Sequence, residues 1–214
     1  MDTTTEVKSR KRRSRSLATR RDIIEATISC FVDIGFVRTT TTEIAKKANV
    51  TRGAVQHYFP TTQHVLTASI EYLLEEWIGA YNDVSRKTPR GKDFIDHAVD
   101  NMWELVNNRL FVAWMELVAA SRTDPELRAI IEPVAEEYEQ ARRRAGRDAY
   151  PDFAAAEYEK FEHNRDTLRF LLEGMATTVI TYDRERRVEA QLQWIKDRLH
   201  ESWLPERNKI RIQE

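Results

Sequence analysis

The amino-acid sequence predicts an all-α protein, an N-terminal head of three short helices joined to a larger antiparallel helical body, about nine helices in total. Three observations predict it. Glycine and proline are scarce, six of each in 214 residues, which favours long helices over a turn-rich β fold. Apolar residues recur every three to four positions from Leu17 onward, the period of a helix face. Capping residues and turn residues punctuate positions 35 to 60 at close intervals, as short helices require.

Ile24, Ile28, Phe31 and Ile34 form the stripe of the first helix, and Gly35 stands where a C-terminal glycine ends one. Thr40 with Glu43 three residues later has the spacing of a capping box, followed by Ile44, Ala45 and Ala48 on one face. Asn49 and Val50 supply a turn, Thr51 caps a third helix, and Pro60 stops it. A helix of two turns is too short to persist alone in water, so it is expected to bury Val50, Val55 and Phe59 against the other two. Three short helices with a tight last turn describe a helix-turn-helix.

The body reads as longer helices. Residues 62–85 form a connecting helix through Val65, Leu66, Ile70, Leu73, Leu74 and Trp77, closed by "SRKTPRG". Residues 92–107 and the stretch "RLFVAWMELVAA" follow, then a helix with Asp124 as its cap and Pro125 in its first position. Pro133 is expected to kink or break that helix. "RDAYPD" reads as a loop, residues 153–181 as a long helix with a break near Asn164, and residues 184–203 as the last. The domains expected are a basic disordered arm at 1–16, the helix-turn-helix at 17–64, and the body at 65–214.

The net charge of −1 conceals an asymmetry. Residues 1–64 hold 12 Lys/Arg against 6 Asp/Glu, and the remainder holds 22 against 29. A basic head on an acidic body suggests that the head alone meets a polyanion. Six of the cations lie in "KSRKRRSRS", residues 8–16, whose polarity predicts disorder when free. A lone cysteine, Cys30, excludes an intrachain disulfide and fits a reducing, cytoplasmic setting, with the thiol read as a small buried hydrophobe. No apolar run is long enough to span a membrane, and no signal peptide is expected. The five histidines show no metal-ligand spacing, and no nucleophile elbow or phosphate loop is present. No catalysis, metal or cofactor is expected.

With Val50, Val55 and Phe59 inward, the third helix turns Arg52, Gly53, Ala54, Gln56 and His57 outward. Arginine pairs with guanine O6 and N7, glutamine with adenine, and a small methyl meets that of thymine. Gly53 lets the backbone approach a groove floor, while Thr51 and Tyr58 offer hydroxyls to phosphates. These residues, with Thr40, Thr41, Thr42, Thr62 and the arm's Lys11, Arg12 and Arg13, are the candidate contacts to double-stranded DNA. The arm is read as tracking the minor groove or the phosphates, against a solvated charge run or a nuclear import signal.

The spacing of Ile23–Ile24, Ala26, Phe31, Gly35–Phe36, Thr39–Thr42, Ile44–Ala45, Ala48, Val50–Thr51, Gly53, Val55 and Tyr58–Phe59 resembles the DNA-binding head of TetR-type transcriptional regulators, over residues 20–66. The family usually has Tyr where this chain has Gln56, often Gly at Asn49, and Lys at Thr62. That lysine typically touches phosphate, so one positive contact is missing here, and the arm is the expected replacement. Gln56 is read as adding a base contact.

A single short helix reads few bases, so a second copy and a palindromic operator are expected. Leu168, Leu171, Leu172, Met175 and Val179 form one stripe, and Val188, Leu192, Ile195, Leu199 and Trp203 another. They pair across a two-fold axis, or each faces its own core. The resemblance favours the first reading, since in the family the final two helices build the homodimer. Leu168, Leu172, Met175, Leu192, Ile195, Leu199 and Trp203 are therefore the candidate interface.

Met102, Trp103, Phe111, Trp114 and Met115 are large and soft, suiting a plastic pocket or simply a core. With His97 (near Asp93), Tyr138 and Phe170 they are the candidate ligand contacts. The resemblance implies a small hydrophobic or amphipathic effector. The expected function is a homodimeric repressor released by that effector, the alternative being a ligand-independent or architectural DNA-binding protein.

Overall fold

The computed structural model describes residues 3–87, 94–149, 155–178 and 182–202, with side chains described for 14–83, 94–148, 155–178 and 182–201. Its helices are α1 (Thr3–Ile34), α2 (Thr41–Lys47), α3 (Arg52–Tyr58), α4 (Thr62–Lys87), α5 (Phe94–Val106), α6 (Arg109–Ser121), α7 (Pro125–Ala149), α8 (Ala155–Thr177) and α9 (Arg184–Ser202), with a 3-10 turn at Phe36–Arg38. Among the described residues there is no strand. The chain divides into two compact units, Met1–Glu76 with Val112–Glu136, and Trp77–Phe111 with Glu137–Glu214.

In the first unit the core forms from the stripe the sequence lays down. Ile23, Phe31, Ile44, Val55 and Val65 are fully buried, and Phe59, Ala45 and Ile28 nearly so. Thr27, polar and fully buried, donates its hydroxyl to Ile23 O at 2.8 Å, so no polar group is stranded. Cys30 is buried, and that burial pushes its thiol up, away from the reactive thiolate. The one large departure is at the N-terminus. Residues 3–16, expected as a disordered arm, continue α1 as helix. Straight-chain Arg and Lys are good helix formers, and adding residues to an existing helix avoids the cost of nucleation.

The ends of α2 and α3 are chemically specified. Thr40 Oγ1 accepts from Glu43 N–H at 3.3 Å, and Thr51 Oγ1 from Ala54 N–H at 3.1 Å. At the end of α2, Asn49 takes φ 54°, a left-handed conformation that asparagine tolerates better than most side chains. Asn49 N–H donates to Lys46 O at 3.3 Å and Val50 N–H to Ala45 O at 3.0 Å, the paired bonds of a Schellman ending. That is why asparagine can stand where glycine is usual.

In the second unit, α8 and α9 both pack on α5. Trp77 meets the ring of Phe111 edge-on at 5.8 Å and that of Tyr138 at 5.6 Å, and burial raises the Tyr138 phenol. Between α7 and α8, Arg142 is almost fully buried and bonds Glu139 at 2.8 Å and Asp166 at 2.5 Å. Burial works against its charge, but hydrogen bonds and attraction from the two carboxylates outweigh it and hold the guanidinium charged. Arg165 and Glu162, both buried, pair beside it.

Two expected breaks are absent. Helix α7 runs through Pro133; Pro133 and Ala129 are both exposed, so water can take the carbonyl that the missing N–H leaves free. Helix α8 is unbroken at Asn164. Of the loop expected at 147–152, residues 147–149 end α7 and the rest lie outside the described residues, as does most of "SRKTPRG".

Candidate nucleic-acid interface and effector region

Seven residues make α3, and the caps decide what it displays. Val55 is fully buried and Phe59 nearly so, pinning one side of the helix into the head. Thr51, Arg52, Gly53, Gln56 and His57 are exposed, while Ala54, Tyr58 and Val50 are half-buried. The expected outward set therefore lies on one surface, with Ala54 at its margin. His57 and Tyr58 rings meet edge-on at 5.3 Å. A Cβ on Gly53 would find only Thr51 Oγ1, at 3.8 Å, which is ordinary contact. Among the described residues nothing demands glycine there.

Helix α2 packs on α3 and opens with Thr40, Thr41 and Thr42, of which Thr40 and Thr42 are exposed. Thr62 begins α4 and is exposed. Beside it Thr61 accepts from His64 N–H at 3.3 Å, and its hydroxyl lies 2.7 Å from His64 Nδ1. Lys47 is tied to Asp33 at 2.6 Å, which leaves Arg52 and Lys46 as the exposed cations of α2 and α3 outside that pair. Arg20 stacks on the Phe59 ring at 5.1 Å, an anchoring contact that sequence reasoning missed. The side chains of Lys11, Arg12 and Arg13 lie outside the described residues.

In the body, burial reassigns several candidates. Leu168, Leu172 and Ile195 are buried within the chain itself, because an apolar stripe of that spacing is what a helix packed on its own core uses. They are core, not open interface. Met175, Leu192 and Leu199 are half-buried; Val179 and Trp203 lie outside the described residues. Among the described residues, the large apolar side chains that α8 and α9 turn outward are Phe170 (60% exposed), Leu171 (45%) and Trp194 (51%).

The ligand candidates also separate. Phe111 and Tyr138 gather around Trp77, which sequence reasoning left in the core stripe of its helix. Met102 and Trp103 are half-buried, and Trp114 and Met115 likewise in the other unit. His97 and Phe170 are exposed; Asp93, the expected neighbour of His97, lies outside the described residues. Trp103 alone of the eight lines an open groove of about 530 Å³, with Asp100, Asn107, Val188, Leu192 and Lys196 among its walls. Leu192, expected at a dimer interface, thus lines a groove. Among the described residues no cluster of His, Cys, Asp or Glu could hold a metal ion, and no helix is long and apolar enough to cross a membrane.

Comparison with known proteins adds an independent view of the head. The sequence pattern of the family described as bacterial regulatory proteins, tetR family, matches residues 23–68. The chain is 27% identical over 129 residues to the HTH-type transcriptional regulator CymR of Pseudomonas putida, covering 60% of this chain and 64% of that one. It is 31% identical over 113 residues to the HTH-type transcriptional regulator BetI of Stenotrophomonas maltophilia, covering 50% and 57%. In each case the match spans less than two thirds of the relative's length. Among solved structures, Salmonella enterica GusR shares the fold with a TM-score of 0.64, at 20% identity, over 88% of this chain and 96% of that one.

Proposed function

Because the chain belongs, through residues 23–68, to the tetR family of bacterial regulatory proteins, we propose that it is a cytoplasmic homodimeric repressor that reads a palindromic operator and is released by a small hydrophobic or amphipathic effector. The observation that carries the reading is the face of α3: Arg52, Gly53, Gln56 and His57 exposed together while Val55 and Phe59 fix the helix from behind. Arginine and glutamine on the exposed face of a recognition helix are side chains suited to reading base edges. Thr40, Thr42, Thr51, Tyr58 and Thr62 supply hydroxyls to phosphates around that face, and the basic N-terminal part of α1 supplies charge. Glycine at position 53, with room inside the chain for a side chain, is consistent with a backbone that must approach something outside it.

The dimer is assigned to the outward apolar side chains Phe170, Leu171 and Trp194 of α8 and α9, which a second copy would cover. The effector reading rests on two separate features, the aromatic group Trp77, Phe111 and Tyr138 and the open groove that Trp103 lines. An effector releases DNA only by binding the released conformation more tightly than the bound one. Selection of bound duplexes from a random pool, followed by a thermal-shift screen of small molecules on the same protein, tests both halves. Enrichment of an inverted repeat supports the operator; retention of all sequences alike returns the chain to a sequence-tolerant binder.

A further inference from the structure

The 3-10 turn after α1 is held by a residue far from it in sequence. Gly35 precedes the turn at φ 80°, a conformation that side chains rarely adopt, and brings no capping group of its own. Phe36 N–H, the first amide after it, donates to Oε2 of Glu116 at 3.3 Å, 80 residues later in α6. The same oxygen lies 3.2 Å from where a Cβ on Gly35 would stand. The positive φ favours glycine at 35, and a side chain there would also press on the carboxylate at the point where α1 stops.

Short bonds lead from that bend to the reading face. Thr39 N–H donates to Phe36 O at 3.0 Å, and the Thr39 hydroxyl to Gly35 O at 2.9 Å. The Thr40 cap then starts α2, whose Schellman ending delivers the chain to Thr51 and α3. We propose that Glu116 is a positioning residue for DNA reading, its carboxylate fixing the bend between α1 and α2 and through it the presentation of α2 and α3. A hydrogen bond to a charged acceptor is stronger than a neutral one, which suits a single contact to this task.

This inference rests on the DNA-reading proposal. The test compares full-length wild type, Glu116→Gln and Glu116→Ala. Each is measured on the duplex that wild type selects from a random pool and on a shuffled duplex, with hydrogen exchange followed at the Phe36 amide. Glu116→Ala is expected to lose about tenfold of its preference for the selected duplex and to expose the Phe36 amide to exchange. Its melting should stay near wild type, because Glu116 is exposed. Glu116→Gln keeps an acceptor oxygen, though a neutral and weaker one, and should retain most of both preference and protection. Unchanged preference in Glu116→Ala overturns the proposal, as does a loss of preference with the Phe36 amide still protected, or an equal loss in Glu116→Gln. A wild type without preference would overturn the DNA-reading proposal itself, and shows before any substitution is made.

Discussion

Gly53 occupies the first turn of α3, exposed, with only ordinary contact awaiting a Cβ there. Glycine inside a helix costs about 0.5–1 kcal/mol relative to alanine. Gly53→Ala should therefore raise stability by about that amount in denaturant titration, yet weaken binding to the selected duplex. Gains in both would mean that the backbone at 53 does not approach DNA. Arg52→Ala should cost about 1–3 kcal/mol on the selected duplex and relax discrimination at one base position per half-site. Equal losses on selected and shuffled duplexes would make Arg52 a phosphate contact. Both residues were legible in the sequence because their exposure follows from a local pattern, the Thr51 cap and the inward Val55 and Phe59. Glu116 and Arg142 were not. Glu139 is one helical turn from Arg142, but Phe36 stands 80 residues from Glu116 and Asp166 stands 24 from Arg142, and no periodicity in the sequence encodes those two pairings.

Helices α7 and α8 are joined by charge as well as by apolar packing. The Arg142 side chain is 1% exposed, whereas those of Glu139 and Asp166 are 31% and 28% exposed. Removing both carboxylates in Glu139→Ala/Asp166→Ala strands a buried cation and should cost about 3–5 kcal/mol. Arg142→Met should cost less, since the carboxylates can turn to water and the methionine refills the space. Denaturant midpoints of the two variants check the order, and the reverse order would place the strain on the acidic side. Helix α1 raises a separate question at its basic N-terminal end. Deleting residues 1–16 should weaken binding to every duplex and flatten the salt dependence, because its six cations release counterions on binding. An unchanged salt slope would remove this segment from the interface. Element existence was well predicted from apolar spacing and caps. What was missed at this scale, the start of α1 and the continuity of α7 and α8, are places where propagation and solvent access override a local breaker.

For the molecule as a whole, the stripes of α8 and α9 show the limit of reading one chain. Leu168 and Leu172 have the spacing of an interface and are buried in their own core, because intrachain and interchain packing use the same period. The outward residues Phe170 and Trp194 are the ones a second copy would cover, and since both are exposed their replacement should spare the fold. Phe170→Glu/Trp194→Glu should sediment as a monomer with near-wild-type melting and lose its affinity for an inverted repeat while keeping weak binding to a single half-site. A dimeric double variant would move the interface elsewhere. In the proposed assembly the face of α3 reads sequence twice, once per copy. The measurement that tests it most directly is high-throughput sequencing of duplexes retained from a random pool by the full-length chain at physiological salt. An enriched inverted repeat is expected, with half-sites that change when Arg52 or Gln56 is substituted. A retained pool with no enriched sequence, or an enriched site indifferent to both substitutions, would contradict it.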